Sequence, residues 1–209
     1  MIIDFNVNFN KYEEEILNNY KTFNYTCPTC GAKHSLFRHA KYERYIATIY
    51  QGEVSSKKLE VLRLKCSSCD KTHAILPSDT IPYCIYSYSC ILTILLEHFI
   101  DKKSILDLAE KFNISFQIIY LFISRFKEFL KECIYVLRLL YFFKDNENPS
   151  FHDALTAISN DSIKNQFLKI FFSKTKWMFL MKKFLNIIPR PITIGSCNAS
   201  FPSTHITFE

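Results

Sequence analysis

Apolar and β-branched positions cluster with strand character over Leu36 to Tyr50 and again over Lys58 to Lys65, and Gln51-Gly52-Glu53 between them supplies a turn, so this stretch predicts a β-hairpin. His73-Ala74-Ile75-Leu76 predicts a short third strand. The pattern then changes. After an extended linker from Leu76-Pro77 to Ile81-Pro82, the run from Ile81 to Leu96 is uncharged and strongly apolar, which predicts a buried helix from near Ser87 to Ile100. That run is shorter than the roughly 20 residues of a membrane-spanning helix and Glu97-His98 closes it, so no membrane role is expected.

A second helical period follows at once. Ser104 is placed to cap a helix, with Asp107 three residues on, and Ile105, Leu108, Ala109 and Phe112 form its apolar stripe. Asn113 breaks the stripe, and asparagine tolerates the left-handed backbone of a tight turn better than other residues with a side chain. Ser115 caps the next helix, whose apolar face runs through Ile118, Ile119, Phe122, Ile123 and Phe126. Helix, three-residue turn, helix is the spacing of a helix-turn-helix unit, although the same periodicity suits a generic helical hairpin. Beyond it, Cys133 to Phe143 predicts further helix, residues 145–149 a loop, Phe151 to Ile158 a helix, and Lys164 to Ile187 an amphipathic helix stopped by Pro189 and Pro191. The tail from Ser196 is rich in Ser and Thr and is expected to be mobile.

The cysteines change the picture of the first third. Cys27-Pro28-Thr29-Cys30 and Cys66-Ser67-Ser68-Cys69 flank the hairpin, and two such knuckles bring four thiolates to one tetrahedral Zn²⁺. Gly31 and Asp70 follow the knuckles, each able to take the positive φ that wraps the chain around a metal. Knuckle, hairpin, knuckle, strand has the order of a zinc ribbon. A disulfide framework would need an oxidising compartment, and the Met1-Ile2-Ile3-Asp4 start lacks signal-peptide character, so a cytoplasmic location is expected. A thioredoxin-like site needs a single Cys-x-x-Cys opening a helix, and a catalytic zinc needs an open position that four thiolates do not leave. His34 and His73 each lie four residues beyond a knuckle and are close enough in sequence to replace a ligand, but also read as plain surface or strand histidines. Cys84, Cys90, Cys133 and Cys197 show no paired spacing and read as buried thiols.

Charge points to a partner. The chain carries a net charge of +6, and residues 27–76 hold nine Lys and Arg against four acids. Lys33, Arg38, Lys41 and Arg44 on the first arm of the hairpin, with Lys57, Lys58, Arg63, Lys65 and Lys71 on the return, are candidate phosphate donors. On the second helix of the helical unit, Gln117 is a bidentate reader of adenine, Ser115, Tyr120 and Ser124 are placed for polar or phosphate contacts, and Arg125, Lys127 and Lys131 for the phosphate backbone. Phe116 and Leu121 face outward on the same helix and suit another subunit or a protein partner.

The motifs Cys27-Pro-Thr-Cys-Gly, Arg38-His39, Tyr42-Glu43-Arg44, Lys65-Cys-Ser-Ser-Cys-Asp-Lys-Thr-His-Ala-Ile-Leu-Pro77, Ile81-Pro82-Tyr83 and Leu106-Asp-Leu-Ala-Glu-Lys-Phe-Asn-Ile-Ser115 resemble an uncharacterised bacterial family. Its members are similar to the N-terminal zinc ribbon and helix-turn-helix of insertion-sequence transposases, and the resemblance implies DNA binding in the setting of mobile elements. The chain departs from such families in offering few base-reading donors on its second helix.

The expected fold class is therefore α+β. A 1–26 N-terminal extension precedes a 27–77 zinc ribbon, an 83–144 helix-turn-helix domain, a 145–195 helical region and a 196–209 tail. Catalysis is not expected: a transposase-type nuclease needs three spaced carboxylates on an α/β scaffold, and after Glu132 only Asp145, Glu147, Asp153, Asp161 and Glu209 remain, without strand alternation around them. The rival expectation is a protein-interaction module with only electrostatic affinity for nucleic acid.

Overall fold

The computed structural model describes residues 1–18, 24–160 and 162–181. It is an α+β fold with a four-stranded sheet followed by helices. Strands β1 (Ile2–Asp4), β2 (Leu36–Tyr50), β3 (Glu53–Cys66) and β4 (Thr72–Pro77) lie in the order β1-β4-β3-β2, with β1 parallel to β4 and the other pairs antiparallel. The hairpin turn is tighter than the sequence predicts. Gln51 and Gly52 both take positive φ, 51° and 84°, a two-residue connection whose twist matches the strands, so β3 begins already at Glu53, paired with Tyr50.

The segment before the first knuckle is part of the sheet's core. β1 extends the sheet, and a π-helical turn (Glu13–Leu17) lays Ile16 and Leu17 beside Val61, Leu62, Leu64 and Ile75. Tyr12, fully buried, donates its hydroxyl hydrogen to the Ile75 carbonyl at 2.7 Å and accepts from the Leu62 amide at 3.1 Å.

Helices α1 (Tyr88–Phe99), α2 (Ile105–Phe112), α3 (Phe116–Leu139), α4 (Phe151–Ile158) and α5 (Lys164–Thr175) enclose a second core, rich in Phe. Each of the first four opens on a serine cap: Ser87, Ser104, Ser115 and Ser150. Ser104 with Asp107 and Ser150 with Asp153 make reciprocal capping boxes, which satisfy amides that a helix start leaves without partners.

Two helices are shorter than the periodicity predicts, for a shared reason. After α3, Tyr141 takes φ 62° and the Phe142 amide reaches back to the Leu137 carbonyl at 3.0 Å, so the chain turns out of the helix instead of continuing to Phe143. After α5, Lys176 takes φ 63° with its amide on the Phe172 carbonyl at 2.8 Å. That turn sends Met178 to Met181 back into the core, where Phe179 meets Phe126, Phe129, Phe167 and Phe171. Trp177 and Phe179 are therefore not helical, and Lys182, Lys183, Phe184, the Pro189-Pro191 stop and the tail with Cys197 lie outside the described residues.

Sheet and helices meet where Ile3 and Phe5 pack on the helical core, the Phe5 ring 5.9 Å from that of Phe172, and along a backbone seam at Ala47. The Ala47 amide donates to the Ile85 carbonyl at 2.7 Å and its carbonyl accepts from the Ser87 amide at 2.9 Å. Ile49 and Val54, at the hairpin's far end, pack against the helical core.

Candidate metal centre

The two knuckles fold as matched turns. In the first, the Cys27 amide donates to the Ala32 carbonyl and the Cys27 carbonyl accepts from the Gly31 amide, each at 2.9 Å. In the second, the Cys66 amide donates to the Lys71 carbonyl at 2.9 Å and the Cys66 carbonyl accepts from the Asp70 amide at 3.0 Å. Both turns require positive φ at the residue after the second cysteine, and Gly31 and Asp70 supply it at 73° and 62°.

These turns gather Cys27, Cys30, Cys66 and Cys69, whose sulfurs all lie within 4.8 Å of one another. The closest pairs, Cys27 with Cys69 and Cys30 with Cys66, are 3.7 Å apart. A tetrahedron of thiolates around a metal, with metal–sulfur bonds of about 2.3 Å, sets its sulfurs about 3.8 Å apart. The donor set and its spacing thus fit a four-coordinate metal ion. Cys27 and Cys66 are buried and Cys30 is exposed, so one side of the cluster faces the sheet core and the other faces solvent.

Two further side chains bear on the sulfurs. The Ser35 hydroxyl lies 3.3 Å from Cys66 Sγ and, with the surrounding amides, holds that thiol down at about 6. His73 is buried on β4, and its Nε2 is 3.3 Å from Cys27 Sγ. Burial holds the imidazole below its ordinary value. His73 is a strand histidine, as one sequence reading has it, yet it touches the cluster. The signal was its place four residues past a knuckle. Ser35 carried no such signal, because only the hairpin's return brings it to Cys66.

Most of the basic residues on the hairpin already have partners. Arg38 donates to the Ile16 carbonyl at 2.6 Å, Lys41 pairs with Glu60 at 2.9 Å, Lys58 with Glu43 at 2.5 Å and Lys65 with Asp70 at 2.7 Å. Arg44 is half-buried and binds the carbonyls of Ile81 and Cys84, locking β2 to the linker before α1. Arg63 donates to Thr72 Oγ1 at 2.8 Å, and the Lys57 ammonium sits 5.6 Å from the Tyr50 ring. Lys33 and Lys71 are exposed beside the knuckles and make no side-chain pair among the described residues. The free positive charge therefore concentrates at the metal end of the sheet.

Helices α2 and α3 are joined by Asn113-Ile114-Ser115, with Asn113 in the left-handed region at φ 49°, ψ 47°. Leu108 and Phe112 of α2 and Ile119 and Phe122 of α3 are buried together, and Ile114 is half-buried between them. On the outer side, Ser115, Phe116, Gln117, Tyr120, Leu121, Ser124 and Lys127 are exposed. Ser115 and Gln117 bond each other, and the Phe116 and Tyr120 rings meet edge to face at 6.4 Å. Arg125 turns inward instead, its guanidinium 3.7 Å from Cys84 Sγ and 3.5 Å from the Leu180 carbonyl. Cys90 and Cys133 are fully buried thiols, pushed up by that burial, to about 12 for Cys90.

No helix among the described residues is long and apolar enough to cross a membrane. Residues 27–110, somewhat less than half of the chain, match the model of a family described as a domain of unknown function, DUF6431. The match runs from the first knuckle to the last turn of α2, so the metal cluster, the sheet seam and the start of the helical unit fall within it. Comparison with curated proteins and with solved structures returned no match.

Proposed function

We propose that the protein is a non-catalytic DNA-binding protein in which one Zn²⁺, held by Cys27, Cys30, Cys66 and Cys69, is a structural staple. Zinc is the metal that four thiolates at this spacing suit best, and a closed set leaves no coordination position for chemistry. The observation that carries DNA binding is the α2–α3 pair. Two capped helices meet across three residues with a left-handed Asn113, and Gln117, Ser124 and Lys127 of α3 face outward. Lys33 and Lys71, exposed at the metal end, add phosphate donors, Lys71 beside the Asp70 carboxylate that Lys65 already pairs. Two of the carboxylates that follow α3 are occupied in local structure: Asp153 caps α4, and Glu147 accepts from the Lys144 amide at 3.2 Å. The resemblance to transposase N-terminal regions suggests a transposition-related or regulatory setting in the cytoplasm.

Binding to duplex DNA across a salt series tests this. Phosphate contacts give a steep negative slope of log affinity against log salt, and each of Lys33→Ala, Lys71→Ala and Lys127→Ala should reduce it by about one. Gln117→Ala should relax sequence preference. Affinity that ignores both salt and sequence would sink the reading. A second reading is favoured by Phe116 and Leu121, which are 45% and 44% exposed on the same helix: a second subunit or a protein partner docks there. Sedimentation at rising concentration, with Leu121→Asp as control, separates the two.

A further inference from the structure

Two clefts open along the C-terminal half of α3. A cleft of about 730 Å³ opens where α3 ends, between Tyr135, Leu139, Tyr141 and Phe143, with Arg138, Lys144 and Asp145 at its edge. A second cleft of about 390 Å³ adjoins it, walled by Tyr135, Phe129, Thr175 and Trp177, with Glu132 and Lys174 at its edge. Tyr135, half exposed, is the wall the two share.

Tyr141 is the least expected residue here. It occupies the left-handed position that ends α3, where glycine or asparagine costs least, and it is 95% exposed. A tyrosine that buries nothing and sits in a disfavoured backbone region gains nothing for the fold. Its ring is free to serve as a platform. Trp177 is half-buried at the other end of the track, and neither Lys144 Nζ nor Lys174 Nζ has a partner among the described residues. The Arg138 guanidinium donates to the Glu147 carbonyl at 2.6 Å, which fixes its plane at the edge of the cleft.

We propose that this track binds single-stranded nucleic acid, with successive bases stacking on Tyr141, Tyr135 and Trp177 and the intervening phosphates on Lys144, Arg138 and Lys174. Two consecutive apolar-walled clefts divided by one aromatic ring match the repeat of a base-stacking groove, and cations beside each match the strand's charge. Asp145 stands among those cations as an acceptor for base amino or sugar hydroxyl groups. A duplex hides its base faces and cannot use the clefts. The track is set apart from the outward turns of α3: Tyr135 is 18 residues, about 27 Å along the helix, from Gln117.

The chain has one tryptophan, so its fluorescence reports on this site alone. Titration of the full chain with a short oligothymidylate should quench Trp177 and raise the anisotropy of a labelled strand. Tyr141→Ala, at a position too exposed to disturb the core, should weaken that binding roughly five- to a hundredfold, as loss of one stacked base does, and Lys144→Ala with Lys174→Ala should lower its salt slope. Neither change should alter duplex affinity, which Lys33→Ala and Lys127→Ala test, so failure of one reading is distinguishable from failure of the other. Absence of single-strand binding, binding that leaves Trp177 unquenched, or binding unchanged by Tyr141→Ala would each overturn the proposal.

Discussion

His73 Nε2 lies 3.3 Å from Cys27 Sγ, with the other ring nitrogen 3.2 Å from the backbone nitrogen of Met1. The Met1 nitrogen is a donor, so Nδ1 accepts and the ring proton sits on Nε2, facing the sulfur. A neutral N–H aimed at a thiolate withdraws charge from it and orients it, which is how outer partners tune a metal site. His73→Phe keeps the volume and removes the proton. In competition against a chromogenic chelator, the Phe variant should lose its metal at a roughly 10- to 100-fold lower chelator concentration. His73→Gln, whose amide N–H can reach the same sulfur, should recover part of the loss. Equal retention by all three proteins would assign His73 to packing alone.

Tyr12 completes a rung of the sheet with a side chain. The β3–β4 ladder pairs Lys65 with Thr72, Leu64 with His73 and Arg63 with Ala74, and the next pair in that sequence would be Leu62 with Ile75. The Tyr12 hydroxyl bonds both, accepting from the Leu62 amide and donating to the Ile75 carbonyl. Tyr12→Phe leaves a buried donor and a buried acceptor without partners. The expected cost is about 1–3 kcal/mol, read from the urea midpoint of the metal-loaded protein at unchanged slope. A shift of only a few tenths would mean that the two strands close on each other once the hydroxyl is gone.

Metal removal should act on one core and spare the other. The sheet core reaches the cluster directly through Cys27 and Cys66, while the helical core holds Phe126, Phe129, Phe167 and Phe179 without touching it. Chelation should therefore abolish amide protection along Leu59 to Cys66 and leave α3 protected in hydrogen exchange. Acid should do the same. Of the four thiols, Cys66 is held down, at about 6, and Cys27 is lowered, while Cys30 and Cys69 are raised, so it is the bound metal that makes a thiolate of every one. A bound metal needs the thiolate and holds it further down, which makes release a feature of acidic pH and not of alkaline pH. Uniform loss of protection in both cores would show that they unfold as one unit.

The local signals in the chain were legible because each has a local cause. Cys-x-x-Cys spacing, Gly31 and Asp70 after the knuckles, and the caps Ser104 and Ser115 act within four residues of themselves, and the structure has them in those roles. The sequence reading lost accuracy where distant contacts decide. That β1 joins β4 in parallel, and that Arg38 and Arg44 bind backbone carbonyls, depends on segments dozens of residues apart. Helix ends were misplaced for the same reason. Apolar periodicity continues past Leu139 and Thr175, yet the Phe core recruits residues 178–181 by a reversal that the period does not announce. His73 lies between these cases, because its spacing was visible and its burial was not.

The α2–α3 turn depends on Asn113. Its backbone is left-handed, and its amide closes α2 by donating to the Glu110 carbonyl at 3.2 Å, while the Ile114 amide reaches the Ala109 carbonyl at 3.1 Å. A β-carbon in this region costs about 1–2 kcal/mol for most residues, asparagine less, glycine nothing. Asn113→Gly should leave stability within about 0.5 kcal/mol, since the relieved strain is offset by the freer unfolded chain. Asn113→Ala should cost about 1 kcal/mol, and Asn113→Val more, because branching at the β-carbon narrows the allowed backbone further. Thermal midpoints should therefore fall in the order Gly or Asn, Ala, Val. If valine were tolerated as well as glycine, the turn would have to relax to negative φ, and the packing of Leu108 and Phe112 on Ile119 and Phe122 would not depend on it.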